Sequence, residues 1–349
     1  MKVRIKDIAE RAHVSAGTVD RVIHNRGEVS VSTRKKILEI IAEMNYEPDI
    51  LARTLASKKE YCIAISLPEP DRDNEFWHAP LEGMEQAVKE INYFGFALKK
   101  HLYNQFDVRS FIRTSSEILA DQPDALVFAP VFRRESEQLM KECQSCSIPV
   151  ILVNSFLDDC EHLCYIGQDS FASGLLAGRL MSCGLEPTDS LLVINIAADK
   201  DNYEHITRRE QGFLKFFREH EYLQEINIIR RDVSEGSPRK INACMTSCLD
   251  EHAGIRGVFV TNSKVGLVGE YLAKKNLRNI RLIGYDLISA NVSMLRDNYI
   301  DYLISQKPRE QGYRAIMSLF SHMILNKEIE KVQYIPIDII TRENLEYYR

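Results

Sequence analysis

The sequence predicts an α/β protein in which a small all-helical head precedes a two-lobed core built on parallel sheets. In residues 4–46 apolar side chains recur at helical spacing. From Tyr61 onward, short apolar runs of strand length alternate with helical patterns, as in parallel strands joined by crossover helices. The alternation forms two series, which begin at Tyr61 and Leu163, and two series indicate two lobes.

The first two predicted helices are short and are joined by a tight turn. An apolar stripe runs along the first helix from Ile5 to Ala12. Ser15 is a suitable N-cap for a second helix over residues 16–24. A helix-turn-helix presents the start of its second helix to base edges in the major groove, whereas a plain amphipathic cap is the alternative. The outward-facing residues at this start are Ala16, Gly17, Asp20 and Arg21.

A third helix and a hinge segment complete the head. Ser30 or Ser32 caps the third helix, which runs to Met44. The residues that it turns inward are Ile37, Leu38, Ile40, Ile41 and Met44. Its first turn contains Arg34, Lys35 and Lys36, which the helix dipole disfavours there. Phosphate contact would explain these cations, and a solvated face is the alternative. Residues 49–58 predict a short alanine-rich helix, too short for stability in isolation, and a plain linker is the alternative.

The core elements follow from the same patterns. The first series predicts strands over residues 61–67, 97–103, 125–129 and 149–154, with helices over 80–94, 107–120 and 135–146. The second predicts strands over 163–166, 191–196, 226–231, 257–261 and 280–284, with helices over 170–183, 210–219, 238–251 and 265–275. We assign residues 1–47 to the head, 48–60 to the hinge and 61–349 to the core. One lobe takes about 61–158 and 289–316, and the other about 159–288 and 317–349.

Composition excludes several classes of protein. The chain has 349 residues, 45% hydrophobic and 27% charged, without an apolar run of membrane-spanning length. Its first residues lack a signal-peptide core, so we expect a cytoplasmic protein with reduced cysteines. Cys143 and Cys146 form a C-x-x-C pair, but no further Cys or His stands at ligand spacing, so no metal is expected. Glycine-rich nucleotide-binding motifs are absent from the sequence, so no cofactor is expected.

Charge is distributed unevenly along the chain. Residues 1–60 contain 12 Lys or Arg and 9 Asp or Glu, whereas the remainder contains 33 and 41. A positive head on an acidic core suits a protein that contacts DNA with its head alone.

Polar and aromatic residues follow the predicted strands directly and should converge on one crevice between the lobes. Aromatic rings stack on sugar faces, and amide, carboxylate and guanidinium groups pair with hydroxyls. Each residue alone has an ordinary explanation as core, turn or helix cap. The candidate ligand contacts are Asn74, Phe76, Trp77, Asn154, Ser155, Arg209, Asn262, Asp286 and Gln306.

The head resembles the LacI family of bacterial regulators, whose pattern is I-x-D-[VI]-A-x-x-A-x-V-S-x-x-T-V-x-R-V. The matching residues are Ile5, Asp7, Ile8, Ala9, Ala12, Val14, Ser15, Thr18, Val19, Arg21 and Val22. Arg4 replaces a capping Thr, His13 a turn Gly and Asp20 a Ser. The resemblance implies DNA contacts by Ser15, Ala16, Gly17, Thr18, Asp20, Arg21, Asn25 and Arg34, and by the hinge residues Ala52, Arg53 and Leu55. In that family a hinge leucine wedges into the minor groove, and Leu55 is the matching residue.

Residues 61–349 resemble the periplasmic-binding-protein type I fold in its sugar-binding branch. The matching segments are 74–77, 166–169 with Gly174, Asn262, 284–286, Gln306 with Gly312, and 339–344. Carried over by position, the sugar contacts of that branch fall on the nine candidates above. Asn154 and Ser155 stand where ribose-type pockets have Asp and Arg, which argues against ribose.

Together the resemblances imply a ligand-responsive transcriptional regulator, a repressor that binds a pseudo-palindromic double-stranded DNA operator as a homodimer. Because Arg209 is the only cation in the predicted crevice, we expect the effector to be a neutral sugar or polyol. The alternative is a sugar-binding protein or a sugar-processing enzyme with a helical appendage. We expect no enzyme, since the sequence offers no Ser-His-Asp order, metal cluster or paired carboxylates.

Overall fold

The computed structural model describes residues 3–23, 26–44, 46, 59–71, 74–158, 160–197, 204–234, 236–252 and 254–348. The chain divides into two units, residues 1–57 and 58–349. The predicted α/β class, with a helical head and two largely parallel sheets, is confirmed. The hinge segment, including Ala52, Arg53 and Leu55, lies outside the described residues, as does Asn25.

The head contains α1 (Ile5–Ala12), α2 (Ala16–Ile23) and α3 (Val31–Glu43). Their inward faces meet in one apolar cluster, and Ser30 caps α3 by accepting a hydrogen bond from the Thr33 amide. The prediction that Leu38 faces this core was wrong: its side chain is 50% exposed. Residues 37, 40, 41 and 44 already fill the inward stripe of a 3.6-residue period, and position 38 lies to one side of it. The buried members of the cluster are Ile8, Ala9, Ala12, Val19, Val22, Ile37 and Ile40.

The two ends of α1 accommodate two of the three departures from the family pattern. His13 adopts a left-handed conformation with φ 55°, which a glycine would adopt more easily. Arg4 cannot cap α1 as a threonine would, but Asp7 accepts a hydrogen bond of 2.8 Å from the Arg4 amide. This contact satisfies a backbone donor at the start of α1 and places a negative charge in its first turn.

Each core lobe is built on one six-stranded sheet. The first sheet has the order β11-β5-β4-β3-β1-β2 and the second β12-β10-β9-β8-β6-β7, with β10 and β12 antiparallel and the other neighbours parallel. The first comprises β1 (Tyr61–Pro68), β2 (Phe96–Tyr103), β3 (Ala125–Phe128), β4 (Val150–Val153), β5 (Cys164–Gly167) and β11 (Val332–Tyr334). The second comprises β6 (Ser190–Ile196), β7 (Asn227–Val233), β8 (Ile255–Val260), β9 (Arg281–Tyr285), β10 (Tyr302–Ser305) and β12 (Asp338–Ile340).

Helices cover the faces of both sheets. They are α4 (His78–Glu90), α5 (Val108–Asp121), α6 (Arg133–Ser145), α7 (Ser170–Met181), α8 (Glu204–Glu219), α9 (Pro238–Glu251), α10 (Val265–Lys275), α11 (Ser289–Arg296) and α12 (Pro308–Met323). The sequence patterns did not predict α11, α12, β11 or β12. They placed the start of α8 at Glu210, whereas the helix begins at Glu204, so Arg209 lies within it rather than before it.

The sheet pairings correct the predicted lobes at three segments. β5 pairs with β4 and belongs to the first lobe rather than the second. β10 pairs with β9 and belongs to the second lobe rather than the first. β11 pairs with β5, although it was assigned to the second lobe. Strand and helix alternation predicts elements but does not reveal which sheet receives a strand, since that depends on pairing between segments distant in sequence.

Glycines allow one pair of helix backbones in each lobe to touch. A Cβ on Gly83 of α4 would lie 1.9 Å from the Arg309 carbonyl oxygen, and one on Gly312 of α12 would lie 1.9 Å from that of Pro80. In the second lobe a Cβ on Gly174 of α7 would lie 2.0 Å from the Arg209 carbonyl oxygen. A Cβ on Gly212 of α8 would lie 2.1 Å from the Phe171 carbonyl oxygen. The α7–α8 contact therefore sets the position of the backbone that bears Arg209.

Replacing Gly212 with Ala should lower the free energy of unfolding of the core by about 2 kcal/mol, because two helix backbones must separate. Urea denaturation followed by circular dichroism measures the change. Gln211→Ala, on the exposed side of the same helix, is the control and should change stability by less than about 0.5 kcal/mol. Equal stability of Gly212→Ala and the wild type would contradict this account of the contact.

Candidate functional site

A cavity of about 530 Å³ lies between the lobes at the carboxyl ends of the strands. Its volume falls in the usual range for a small-molecule pocket, about 300–1,000 Å³. Ser155 does not line it but lies behind it, with its hydroxyl 3.3 Å from Nδ1 of His205, which does. The other predicted contact residues all line the cavity: Asn74, Phe76, Trp77, Asn154, Arg209, Asn262, Asp286 and Gln306.

A chain of charged and amide groups crosses the second lobe at the wall of the cavity. The Arg209 guanidinium donates to the Thr261 carbonyl oxygen at 2.8 Å and to Gln306 Oε1 at 2.6 Å. Gln306 Nε2 in turn donates to Asp286 Oδ2 at 2.8 Å. The guanidinium also lies 3.7 Å above the Tyr285 ring, a cation–π contact. Gln306 therefore fixes the spacing between a buried cation and a buried carboxylate.

Two polar atoms of this hydrogen-bonded series of side chains lack a partner among the described residues. They are Oδ1 of Asp286 and Nε of Arg209, which belong to side chains only 3% and 1% exposed. An unpaired buried donor or acceptor costs about 1–3 kcal/mol, so native proteins retain few of them. One acceptor and one donor at the wall of a cavity match a ligand hydroxyl, which both donates and accepts.

Burial raises the pKa of Asp286 to about 6, although Arg209 and Gln306 both act to lower it. The carboxylate thus remains mostly ionised at neutral pH without full compensation for its lost hydration. A ligand hydroxyl that donates to Oδ1 would supply part of that compensation.

Asn154 and Asp286 occupy equivalent positions in the two sheets. Asn154 follows β4 with φ 68° and Asp286 follows β9 with φ 69°, both in the left-handed region. Short polar side chains of this kind adopt that region more readily than most residues. Asn154 donates weakly to Gln306 Oε1 at 3.4 Å, so the first lobe contacts the charged chain of the second.

The aromatic residues of the first lobe lie in a short 3-10 turn, Glu75–Trp77. Trp77 is 6% exposed and packs edge-on against Phe76, with ring centroids 5.0 Å apart. Asn74 is held in place by its amide, which donates to the Glu69 carbonyl oxygen at 3.2 Å. Trp77 therefore belongs to the core of the lobe and also lines the cavity, so its fluorescence should respond to occupancy.

Sequence reasoning missed several residues that line the cavity. Gln105 and Phe106 follow β2, and Lys264 follows β8 two residues after Asn262. The rule that selected the other candidates, polar or aromatic residues just after a strand, could have selected these three. His205 was missed because α8 was expected to begin after it. Burial and the positive charge of Arg209 hold the His205 pKa well below its usual value, so its imidazole is neutral at pH 7.

Glu75 links the two lobes at the edge of the cavity. Its carboxylate accepts hydrogen bonds from the Ser289 amide at 3.0 and 3.2 Å and from the Ser289 hydroxyl at 2.6 Å. Ser289 begins α11, where the helix dipole favours a negative charge. The charge of Glu75 is therefore compensated within the protein.

In the head, the start of α2 presents its side chains to the surface. Ser15, Gly17 and Arg21 are exposed, whereas Ala16, Thr18 and Asp20 are half-buried. The Ser15 hydroxyl accepts a hydrogen bond from the Thr18 amide at 3.1 Å, which fixes the start of the helix. A Cβ on Gly17 would have only Ser15 Oγ nearby, at 3.7 Å, so the fold of the head does not require glycine there.

The cations at the start of α3 differ in their surroundings. Lys36 donates to the Ala12 carbonyl oxygen at 3.0 Å, so it satisfies the last turn of α1 and has a structural role. Arg34 is half-buried and Lys35 is exposed. Phosphate contact thus remains a proposal for Arg34, which was the member of this group predicted to bind DNA.

The described residues contain no cluster of His, Cys, Asp or Glu able to hold a metal ion. Nor does that part of the chain include a helix long and apolar enough to cross a membrane.

Burial raises the pKa of Cys143, Cys164 and Cys244 to about 12, so these thiols are protonated at neutral pH.

Comparison with known proteins matches both units of the chain. Residues 4–49 match the family described as bacterial regulatory proteins, lacI family, and residues 63–328 match the periplasmic binding protein domain. The chain belongs to the periplasmic binding protein family over most of its length, and its head has the domain of the lacI family. A candidate LacI transcriptional regulator from Bacteroides fragilis has 29% identity and a TM-score of 0.77, over 83% of this chain and 100% of that one.

Two relatives differ in how much of this chain they match. The catabolite control protein A of Priestia megaterium is 32% identical over 155 residues, 44% of each chain. The sucrose operon repressor of Pediococcus pentosaceus is 23% identical over 97% of this chain and 98% of its own. The first relatives thus match this chain over less than half of their own length.

Replacing Asp286 with Asn should stabilise the unliganded protein at neutral pH. On folding, the pKa of Asp286 rises from 3.8 to about 6. The protonated carboxyl therefore favours the folded state below pH 4, and this contribution to stability is lost as the pH rises through 6. The amide keeps the acceptor for Gln306 without the buried charge. The expected gain is on the order of 2 kcal/mol at pH 8, and it should shrink as the pH falls to 4.

Urea denaturation of both proteins at pH 8, 6 and 4 measures this difference. Asp297→Asn, which removes an exposed carboxylate, is the control and should show no comparable gain. A less stable Asp286→Asn protein at pH 8 would mean that the carboxylate contributes net stability to the unliganded fold.

Proposed function

We propose that the protein is a ligand-responsive, DNA-binding transcriptional repressor whose operator affinity changes when a small sugar or polyol binds between its lobes. One observation carries this proposal: a single chain combines an exposed helix-turn-helix face with a cavity that has an unpaired buried donor and acceptor. The match of residues 4–49 to a family of bacterial regulatory proteins supports the same function. We place its action in the cytoplasm, where it meets DNA.

The head would bind a pseudo-palindromic operator as part of a homodimer. Arg21 and Gly17 are exposed at the start of α2, where a helix-turn-helix contacts bases. The open space at Gly17 supports a close approach to DNA, since the protein itself makes no use of the missing side chain. Ser15, Ala16, Thr18, Asp20, Asn25 and Arg34 are proposed contacts around them, and Ala52, Arg53 and Leu55 are proposed hinge contacts.

The effector would join the two lobes through the cavity. Four of the lining residues belong to the first lobe and four to the second. Those of the first lobe are Asn74, Phe76, Trp77 and Asn154, and those of the second are Arg209, Asn262, Asp286 and Gln306. A ligand that contacts both groups changes the relative stability of lobe arrangements. By linkage, a sugar that weakens operator binding is itself bound more weakly, by the same factor, in the presence of the operator.

The alternative is a sugar-binding protein or a sugar-processing enzyme with a helical appendage. It leaves the exposed α2 face and the family match of residues 4–49 without a role. Two relatives are named as a catabolite control protein and a sucrose operon repressor, and both names favour regulation in response to sugars.

Replacing Arg21 with Ala should weaken binding to DNA that the wild-type protein selects from a random-sequence pool. Loss of one base contact costs about 1–3 kcal/mol and relaxes the preference at one base pair. Gel-shift titration and a repeated selection measure both effects. Arg113→Ala, an exposed cation of α5, is the control, and unchanged affinity and preference for Arg21→Ala would refute its assigned role.

Titration with a panel of sugars should change the fluorescence of Trp77, the chain's only tryptophan, in a saturable way for at least one compound. The same compound should alter the affinity for the selected DNA. If no sugar changes the fluorescence of well-folded protein, the sugar-binding half of the proposal fails while the DNA-binding half stands.

A further inference from the structure

Helix α11 begins after a residue that cannot cap it. Its N-cap residue is Ile288, whose side chain offers no acceptor to the amides of the first turn. The acceptor comes from the other lobe: the Glu75 carboxylate receives the Ser289 amide at 3.0 and 3.2 Å and the Ser289 hydroxyl at 2.6 Å. Glu75 and Ser289 are 214 positions apart in the sequence, so only the packing of the two lobes brings them together. The cap of α11 therefore depends on the opposite lobe.

Asn291, in the first turn of α11, ties this helix to the strand ends of the second lobe. Its side chain is fully buried and donates to the Tyr285 and Asp286 carbonyl oxygens at 2.8 and 3.0 Å. Its amide oxygen accepts a hydrogen bond of 2.8 Å from the Gly266 amide of α10. The start of α11 is therefore fixed to the backbone that bears Asp286, a residue that lines the cavity.

Glu75 has an equally direct link to the cavity in the first lobe. It begins the short 3-10 turn that also contains Phe76 and Trp77, and both of these aromatic residues line the cavity. Asn74, the residue before this turn, is 8% exposed and donates to the Glu69 carbonyl oxygen. The contact between Glu75 and Ser289 thus joins the cavity wall of one lobe to the cavity wall of the other.

Near α6 and α8 the two lobes meet through longer ion pairs. Arg133 of α6 lies 3.9 Å from Glu204 of α8, and Arg208 of α8 lies 3.5 Å from Asp158 of the first lobe. Ion pairs of this length between partly exposed side chains contribute little, whereas short hydrogen bonds to a carboxylate contribute more. The contact between Glu75 and Ser289 is therefore stronger than either ion pair.

We propose that Glu75 is an interlobe latch, which caps α11 from the opposite lobe and holds the cavity closed through the protein's own groups. Separation of the lobes leaves the start of α11 without its cap, and loss of a cap shifts an equilibrium by roughly twofold to thirtyfold. The latch therefore sets the balance between open and closed lobes before a sugar binds. Its consequence for DNA rests on the proposed function, in which a change in this balance changes the affinity for DNA.

Acrylamide quenching of Trp77 fluorescence measures lobe opening in the full-length protein. The indole is 6% exposed and lines the cavity, so acrylamide reaches it more readily when the lobes separate. Glu75→Ala should raise the quenching constant about twofold or more, because α11 no longer gains its cap on closure. Ser289→Ala, which changes only the opposite lobe, should raise it by a smaller amount, since the backbone amide still donates to Glu75.

Matched controls remove exposed polar groups from the same two helices. Glu82→Gln changes an exposed carboxylate of α4, and Ser293→Ala changes an exposed hydroxyl of α11. Neither side chain belongs to the latch, so both variants should show the wild-type quenching constant. Thermal melting confirms that each variant is folded.

Two further measurements assign the effect to the latch and connect it to DNA. A protein with both Glu75→Ala and Ser289→Ala should be quenched like Glu75→Ala alone, because the two substitutions remove the same contact. Gel-shift titration with DNA selected from a random-sequence pool should show that Glu75→Ala changes the affinity about threefold or more. Glu82→Gln should keep the wild-type affinity.

The outcomes separate the latch from the proposed function. Equal quenching of folded Glu75→Ala and wild-type protein, or additive effects of the two substitutions, overturns the latch. If quenching rises while the affinity for the selected DNA stays the same, the latch stands and its consequence for DNA is overturned. If the wild-type protein selects no DNA from the pool, the DNA-binding function fails, and the quenching result alone decides whether the latch stands.

Discussion

The buried charge of Arg209 is the constraint on which the rest of the cleft depends. A guanidinium at 1% exposure has lost nearly all of its hydration, and removal from water is expensive unless hydrogen bonds replace it. The Thr261 carbonyl oxygen, the Gln306 amide oxygen and the face of Tyr285 replace most of it. These partners lie at the carboxyl ends of β8, β10 and β9, which are neighbours in the sheet. Arg209 can therefore be buried only if the ends of these three strands lie side by side.

Other features of the second lobe serve the same constraint. Gly174 and Gly212 bring α7 and α8 into backbone contact, which places the helix turn that bears Arg209 against the strand ends. The Thr261 hydroxyl donates to Asn195, whose amide donates to Glu210, the residue after Arg209. The two remaining unpaired atoms, Asp286 Oδ1 and Arg209 Nε, therefore sit on a rigid frame. A ligand meets preorganised groups and does not have to order them, which favours affinity.

Much of the fold and of the site was predictable because it depends on local pattern. Periodicity predicted the elements of the head and most of the core, and eight of the nine predicted contact residues line one cavity. The failures have a common physical cause. Leu38, the start of α8 and the sheet membership of β5, β10 and β11 depend on packing between segments distant in sequence. His205 escaped notice because α8 was expected to begin after it.

The sequence by itself determined the order of elements, the helix-turn-helix motif and the types of side chain at the strand ends, because each follows from spacing along a single segment. Tertiary structure alone decided which strands share a sheet and how Gln306 spaces Arg209 from Asp286. It also decided that the charge of Glu75 is compensated by Ser289. The physical reason is that charge compensation and desolvation depend on distances in space, and residues such as Glu75 and Ser289 are brought together only by the packed lobes.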